Sequence, residues 1–350
     1  MKIDIINPVG EKRWDEFLLE QPHALVFHTS AWAKVIIDTY KYLPRYMVLE
    51  DENGQYVAGL PLFLIKSRFT STRLVCLPFS DYCYPLSENP EYIDLLLNAA
   101  KKEMETQGAS YLEIRGWSFE SPSEELALLP FHYHLSHVID LSQDIDTLER
   151  AFNSNVRRSI RKAGKVGVTS RIAESEEDLK AFYRLNVMTR KKNGVIPQPY
   201  SFFQSVYRNL IETGLGYLAV VEWQGKLIAA SLFLSYKDTV YYKYNASERR
   251  HLDKCPNHLL IWESIKHSNK DGQVKFDFGR CSPEDEGLRN FKNRWAAQEI
   301  DLPCYYYPMA KGMMTYTDTS LKYRIMNRAV ATMPNFLLTI IGSKVYKHLG

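Results

Sequence analysis

Two stretches of the chain carry the same hydrophobic pattern. Tyr46 to Leu64 (YMVLEDENGQYVAGLPLFL) and Tyr217 to Leu234 (YLAVVEWQGKLIAASLFL) each read as an apolar strand, a polar turn and a second apolar strand. The turn dipeptides are Asn53-Gly54 and Gln224-Gly225, and glycine accepts the positive φ that tight hairpins need. Ala58 and Ala229 follow the turn glycine at the same distance, and both second strands end in Leu-Phe-Leu. A repeat separated by about half the chain predicts tandem domains of similar fold rather than a short-period solenoid.

Helical periodicity precedes each hairpin. Arg13 to Gln21 places Trp14, Phe17 and Leu18 on one face, and Thr29 to Tyr40 places Trp32, Val35 and Ile36 on another. In the second half, Ser175 and Asp178 resemble a capping box ahead of Leu179, Phe182 and Tyr183, and Gly194 closes that helix. A Pro197-Gln198-Pro199 loop leads to a predicted helix from Phe202 to Glu212. Val240 to Asn245 reads as a third strand. Asn257 is the expected cap of a helix from Leu259 to Ser268, with Trp262 and Ile265 inward and Gly272 as its stop. Val274 to Phe278 is the strand after it. Helices, a hairpin, then strand–helix–strand is an α+β order, and the predicted class is two such domains, each a mixed sheet flanked by helices.

Composition narrows the chemistry only slightly. The 350 residues are 45% hydrophobic and 24% charged, with a net charge of +3. That suits about two globular domains and gives no overall field for a nucleic-acid binder. Five scattered cysteines without CxxC spacing suit reduced thiols better than a disulfide framework. Met1 to Asp15 has no apolar core of a secretory signal. The apolar run Phe336 to Ile341 is far too short to span a bilayer. Cytoplasmic location is therefore expected.

The chemistry concentrates in VKFDFGRCSPEDEGLRNFKNRWAAQEI, Val274 to Ile300. A short strand stops at Gly279, an acidic loop (Glu284, Asp285, Glu286) follows, and Lys292 stands between Phe291 and Trp295. A compact ammonium walled by aromatics suits stabilisation of a developing negative charge. Its expected place is a cleft opposite the strand end and near Tyr244. Asp277, inside the strand, is the candidate base. His132 and His134 share a strand face and His137 lies on the other, but no companion motif supports a metal, and none is expected. Arg150 to Lys165 holds six basic residues and no acid. Arg157, Arg158 and Arg161 on one helical side suit phosphates, as do Arg249, Arg250 and Asn257 at the later helix start. The segment Ser320 to Gly350 is basic and apolar, a pattern that suits an anionic membrane surface.

Taken in order, FHTSAWAKVI (27–36), LVCLPFSDYCYPL (74–86), NVRRSIRKAGKVGV (155–168), VYYKYNAS (240–247), PNHLLIWESI (256–265), FDFG and FKNRW resemble the FemABX family and related acyltransferases of polysaccharide gene clusters. The resemblance implies tandem acetyltransferase-like (GNAT) domains, 1–147 completed by 309–350, and 148–308 with the catalytic site. It implies transfer of an acyl or aminoacyl group to an amine of a cell-envelope or polysaccharide precursor. The donor would be aminoacyl-tRNA or acyl-CoA, with no bound cofactor, no DNA partner and a peripheral contact at the inner membrane face. The family's Phe-Lys pair falls on Phe291 and Lys292, and its acceptor-contacting tyrosine on Tyr244. Tyr242, Tyr200, Gln198, Trp32, Asp81 and Tyr82 complete the implied substrate set. Gln198 stands near the place of an arginine in the bridge-forming members, and Ile36 near that of their precursor-binding lysine. The GNAT pyrophosphate signature is not present before Asn257. The alternatives are an acyl-CoA-dependent N-acetyltransferase of polysaccharide synthesis and a non-catalytic sugar- or phosphate-binding protein, in which clustered tyrosines stack on sugars.

Overall fold

The computed structural model describes residues 1–116, 128–308 and 321–348. The chain divides into two compact units.

In the first unit, Lys2–Ile6, Tyr46–Glu50 and Tyr56–Leu60 form an antiparallel sheet, with Tyr46–Glu50 in the middle. The helices Lys12–Glu20 and Pro90–Thr106 pack on it. Gly59 is needed here. A side chain at that position would meet the Trp14 ring at 2.6 Å, and Trp14 is anchored in turn by its indole N–H to the His28 carbonyl at 2.8 Å. The hairpin does not continue into Phe63–Ile65. Pro61 cannot donate to a ladder, and Phe63–Ile65 instead pairs with Leu43–Pro44 and Arg73–Val75. Leu112–Arg115 extends that second sheet parallel to Arg73–Val75 and pairs antiparallel with residues 304–307.

The second unit keeps its hairpin as one long ladder. Gly216–Trp223 pairs with Lys226–Tyr236 through a two-residue turn, in which Gln224 and Gly225 both have positive φ. The sheet order runs Val168–Ile172, Gly216–Trp223, Lys226–Tyr236, Thr239–Ser247, Lys275–Asp277, then residues 136–140. The step from Thr239–Ser247 to Lys275–Asp277 is parallel and crosses through the helix Pro256–Lys270. That helix buries Leu259, Leu260, Ile261, Trp262 and Ile265 in a core shared with Phe152, Val240, Phe276 and Trp295. Ser175 caps Glu176–Lys192 as the sequence predicts, accepting from the Asp178 N–H.

Four expectations change. The boundary expected at 147/148 falls at 135/136, inside Leu129–Asp140, because residues 136–140 pair with Lys275–Asp277 and Leu148 and Phe152 belong to the second core. The continuous stretch of the second unit likewise ends at Ile300 rather than residue 308. The helix Asn335–Val345 does not complete the first unit. It groups with the second, where Gly342 lets it approach Pro197 so closely that a side chain would meet the Pro197 carbonyl at 2.3 Å. Asn257 is not a cap. Cys255, in the left-handed region, holds that position, with Pro256 starting the helix. Among the described residues no helix is long and apolar enough to cross a membrane.

Candidate functional site

The strand Lys275–Asp277 ends where Gly279 turns the chain at φ 68°. Asp277, 1% exposed, fixes this end. Its Oδ1 accepts from Ser136 Oγ and from the Gly279 N–H, both at 2.7 Å. Asp285 then caps the helix Glu286–Asn293 by accepting from the Leu288 N–H. The last turn of that helix carries Lys292, 2% exposed, whose Nζ donates to the Gly279 carbonyl at 2.5 Å. Trp295 is fully buried behind it, 6.3 Å from the Phe291 ring, and His258 stacks on Trp295 at 6.0 Å. The Trp295 N–H donates to the Lys292 carbonyl at 3.0 Å, and Lys292 is buried where the sequence suggests a cleft.

Around Lys292 lies a polar cluster that spacing did not reveal. His137 Nε2 is 3.2 Å from Glu299 Oε2, without the alignment of a hydrogen bond. Arg289 clamps Glu299 with two bonds of 2.6 and 2.7 Å. Cys281 Sγ is 3.8 Å from His137 Nδ1. Burial, and then the Lys292 ammonium, hold the His137 imidazole below its usual range against the pull of Glu299. Burial pushes the Cys281 thiol up, while Lys292 draws it down. The bond from Arg289 holds the Glu299 carboxyl low. Burial and the neighbouring cation both disfavour the charged imidazole here. His137 was noticed in the sequence only as the odd residue of HYHLSH. Glu299 lies more than 160 residues further on, and no local pattern joins the two.

The predicted substrate residues divide into groups. Tyr244 packs edge-on against Phe202 and Phe203, at 5.8 and 5.3 Å. Tyr183 contacts Phe203 and Tyr200, and its hydroxyl donates to the Gln198 carbonyl. Tyr244, Tyr200 and Gln198 therefore belong to one aromatic patch of the second unit. Tyr242 lies elsewhere, against Phe276 and Phe278. The cause is a bulge: Leu232 pairs with Tyr244 but Phe233 with Tyr242, leaving Lys243 as the extra residue. Phe278 in turn lies 6.2 Å from Trp295, so Tyr242 is the tyrosine linked by these ring contacts to Trp295. In the first unit, Trp32 and Tyr82 both pack on Phe27, and Asp81 is half-buried. Trp32 is fully buried against Phe27.

The basic helix Ser154–Lys165 buries Val156, Ile160 and Ala163 and turns its arginines outward. Arg157 donates to the Arg150 carbonyl, Arg158 to Asn155, and Arg161 approaches Glu149 at 3.8 Å. Arg249 and Arg250 lie in the turn Arg249–Lys254, where Arg250 pairs with Glu248 at 2.9 Å. Asn257 donates to Ser247 Oγ. A polar cavity of about 330 Å³ borders the Lys292 helix, lined by Asn153, Asn290, Asn293 and Arg294. Among the described residues no group of three or more His, Cys, Asp or Glu is arranged to hold a metal ion. The His132 side chain lies outside them.

Residues 150–293 match the acetyltransferase (GNAT) domain family. The chain is 20% identical to the UDP-N-acetylmuramoylpentapeptide-lysine N(6)-alanyltransferase of Weissella viridescens, over 83% of this chain and 90% of that protein. It is 21% identical to the Lipid II:glycine glycyltransferase of Staphylococcus epidermidis, over 84% and 89% of the two chains. Its fold superposes on the crystal structure of FemX with a TM-score of 0.69 at 18% identity, over 88% of this chain and 98% of that one. The chain is FemABX-like, of α+β GNAT-type fold, with the matched domain inside the second unit.

Proposed function

We propose that this FemABX-like chain is an N-acyltransferase that moves an acyl or aminoacyl group onto an amine of a cell-envelope or polysaccharide precursor. The observation that carries the reading is the buried Lys292, held by the Gly279 carbonyl just beyond the Lys275–Asp277 strand. Attack of an amine on an activated ester puts negative charge on the acyl oxygen. An ammonium already fixed in a low-dielectric site stabilises that charge without reorganising. Collapse of the adduct expels the donor's hydroxyl or thiol, which takes up the proton the amine gives up, while His137, fully buried and held below its usual range by burial and Lys292, acts as a positioning residue beside the ammonium. Asp277 serves as a positioning residue, because its Oδ1 is occupied by Ser136 and Gly279.

The donor is an activated acyl ester or thioester, aminoacyl-tRNA or acyl-CoA. The turn Arg249–Lys254 has no glycines with which to wrap a CoA pyrophosphate, which favours the aminoacyl ester. The enzyme would work at the inner face of the membrane, where such precursors are made. The test is transfer of labelled alanine or glycine from charged tRNA, and of labelled acetyl from acetyl-CoA, to amine-bearing envelope precursors. Transfer by the parent protein that is lost in Lys292→Met supports the proposal. Equal transfer by both would remove it.

A further inference from the structure

The helix Asn335–Val345 docks on the second unit by one side only. Leu338 is fully buried, and Gly342 brings the helix against the Pro197 carbonyl. These two positions are four apart in sequence and so share one face. At about 100° per residue, Phe336, Leu337 and Ile340 lie outside that face. Their exposure agrees, at 64%, 38% and 50%. Lys344 follows Ile340 by one turn and is exposed as well. Single exposed apolar side chains are ordinary, but three within five residues form a patch, and patches mark contact surfaces. No step of the acyl transfer draws on it.

The charge around this patch has one sign. Ser320 to Gly350 holds five Lys or Arg and no acid. Arg328, in the preceding helix Leu321–Thr332, is exposed. The helix Glu176–Lys192, on which Asn335–Val345 packs, ends in Arg190, Lys191 and Lys192. No acid follows Asp178 until Glu212. Gly194, just past that basic turn, lies so near Asn327 that a side chain would meet the Asn327 Cβ at 2.7 Å. The turn therefore lies beside the helix that carries Arg328. The whole chain has a net charge of only +3, so this concentration is local. A second copy of the chain would bring the same positive charge to the patch and be repelled. An anionic lipid surface supplies both partners at once, phosphates for the cations and an acyl boundary for the apolar side chains. With 11 residues the helix can lie in such a surface but not cross it.

We propose that the outward face of Asn335–Val345 docks the protein on an anionic phospholipid bilayer. Phe336, Leu337 and Ile340 enter the headgroup boundary. Lys344, Arg328 and the Arg190–Lys192 turn meet the lipid phosphates. The surface binds the bilayer itself rather than a precursor carried in it. It deepens the inner-face location proposed above and rests on that location, not on the transfer chemistry.

Co-sedimentation of the full chain with precursor-free phosphatidylcholine vesicles, with and without phosphatidylglycerol, tests it. The parent binds the anionic vesicles about tenfold or more tighter than the neutral ones, and added salt weakens that binding. Phe336→Ser/Ile340→Ser changes exposed side chains only, keeps the melting temperature and weakens binding about tenfold or more. Arg328→Gln/Lys344→Gln weakens it about fivefold for each charge removed. No sedimentation with anionic vesicles, equal binding to neutral ones, or parental binding in Phe336→Ser/Ile340→Ser would each overturn the docking. So would a parental dimer, seen by light scattering, that the serine variant loses, because the patch would then join two copies of the chain. Lys292→Met should sediment like the parent, and Phe336→Ser/Ile340→Ser should transfer to a soluble amine like the parent, so the docking and the transfer reading fail separately.

Discussion

Asp277 and Lys292 hold opposite ends of one residue. The Asp277 carboxylate accepts from the Gly279 N–H at 2.7 Å, and the Lys292 ammonium donates to the Gly279 carbonyl at 2.5 Å. Gly279 itself sits at φ 68°. The position of the ammonium therefore depends on a carboxylate that need not touch substrate. Asp277→Ala should leave two buried donors unpaired, at about 1–3 kcal/mol each, and reduce transfer because Gly279 no longer holds its place. Asp277→Asn keeps an acceptor oxygen and should retain most of the stability. A parental urea midpoint in Asp277→Ala would contradict this arrangement.

Lys292→Met removes the cation without changing side-chain length much. Turnover should fall about 10²–10³-fold, or ~2.7–4 kcal/mol. The buried Gly279 carbonyl also loses its donor, so the variant should be less stable by about 1–3 kcal/mol. Lys292→Arg should rescue transfer poorly, because a planar fork does not fit a site built for an ammonium. Single-turnover kinetics beside thermal melts separate the two effects. Parental turnover in Lys292→Met would make the lysine purely structural.

His137 gives a pH signature. Its folded pKa lies below the ordinary 6.5, chiefly through burial. The unfolded chain thus takes up a proton first as pH falls, and stability is full above that value and lost on acidification below it. His258 is shifted the same way by burial and Arg294. His137→Gln should reduce the loss of stability between about pH 7.5 and about pH 5.5, and His137→Gln/His258→Gln should reduce it further. Urea midpoints at the two pH values measure this. An unchanged difference in the double variant would refute the assignment.

The arginines of Ser154–Lys165 separate by their contacts. Arg157 holds the Arg150 carbonyl at 2.6 Å, whereas Arg161 is 70% exposed and only approaches Glu149. If a tRNA donor binds here, Arg158→Ala/Arg161→Ala should lower the salt slope of tRNA binding by about 1–2 phosphate contacts with little change in melting temperature. Filter binding over a salt series reads this out. A parental slope would return the helix to solvated surface.

The sequence by itself determined the second hairpin, the first hairpin as far as Leu60, the capped helix Glu176–Lys192, the strand before Gly279 and the isolation of Lys292 between Phe291 and Trp295. Each follows from short-range physics: side-chain period, turn glycines, caps and breakers act within a few residues. The motif order carried the FemABX-like resemblance for the same reason, since each motif is local. Only the tertiary structure decided what surrounds Lys292. His137 and Glu299 meet because residues 136–140 pair with Lys275–Asp277 and because Arg289 holds Glu299. Only the fold showed that Asp277 is taken up by Ser136 and Gly279, and that a bulge at Lys243 sends Tyr242 and Tyr244 to different neighbours. It also moved Asn335–Val345 to the second unit, through a close approach at Gly342 that no periodicity encodes. Contacts between distant positions depend on strand register and helix docking, which are fixed by the whole core, and a linear pattern holds no record of them.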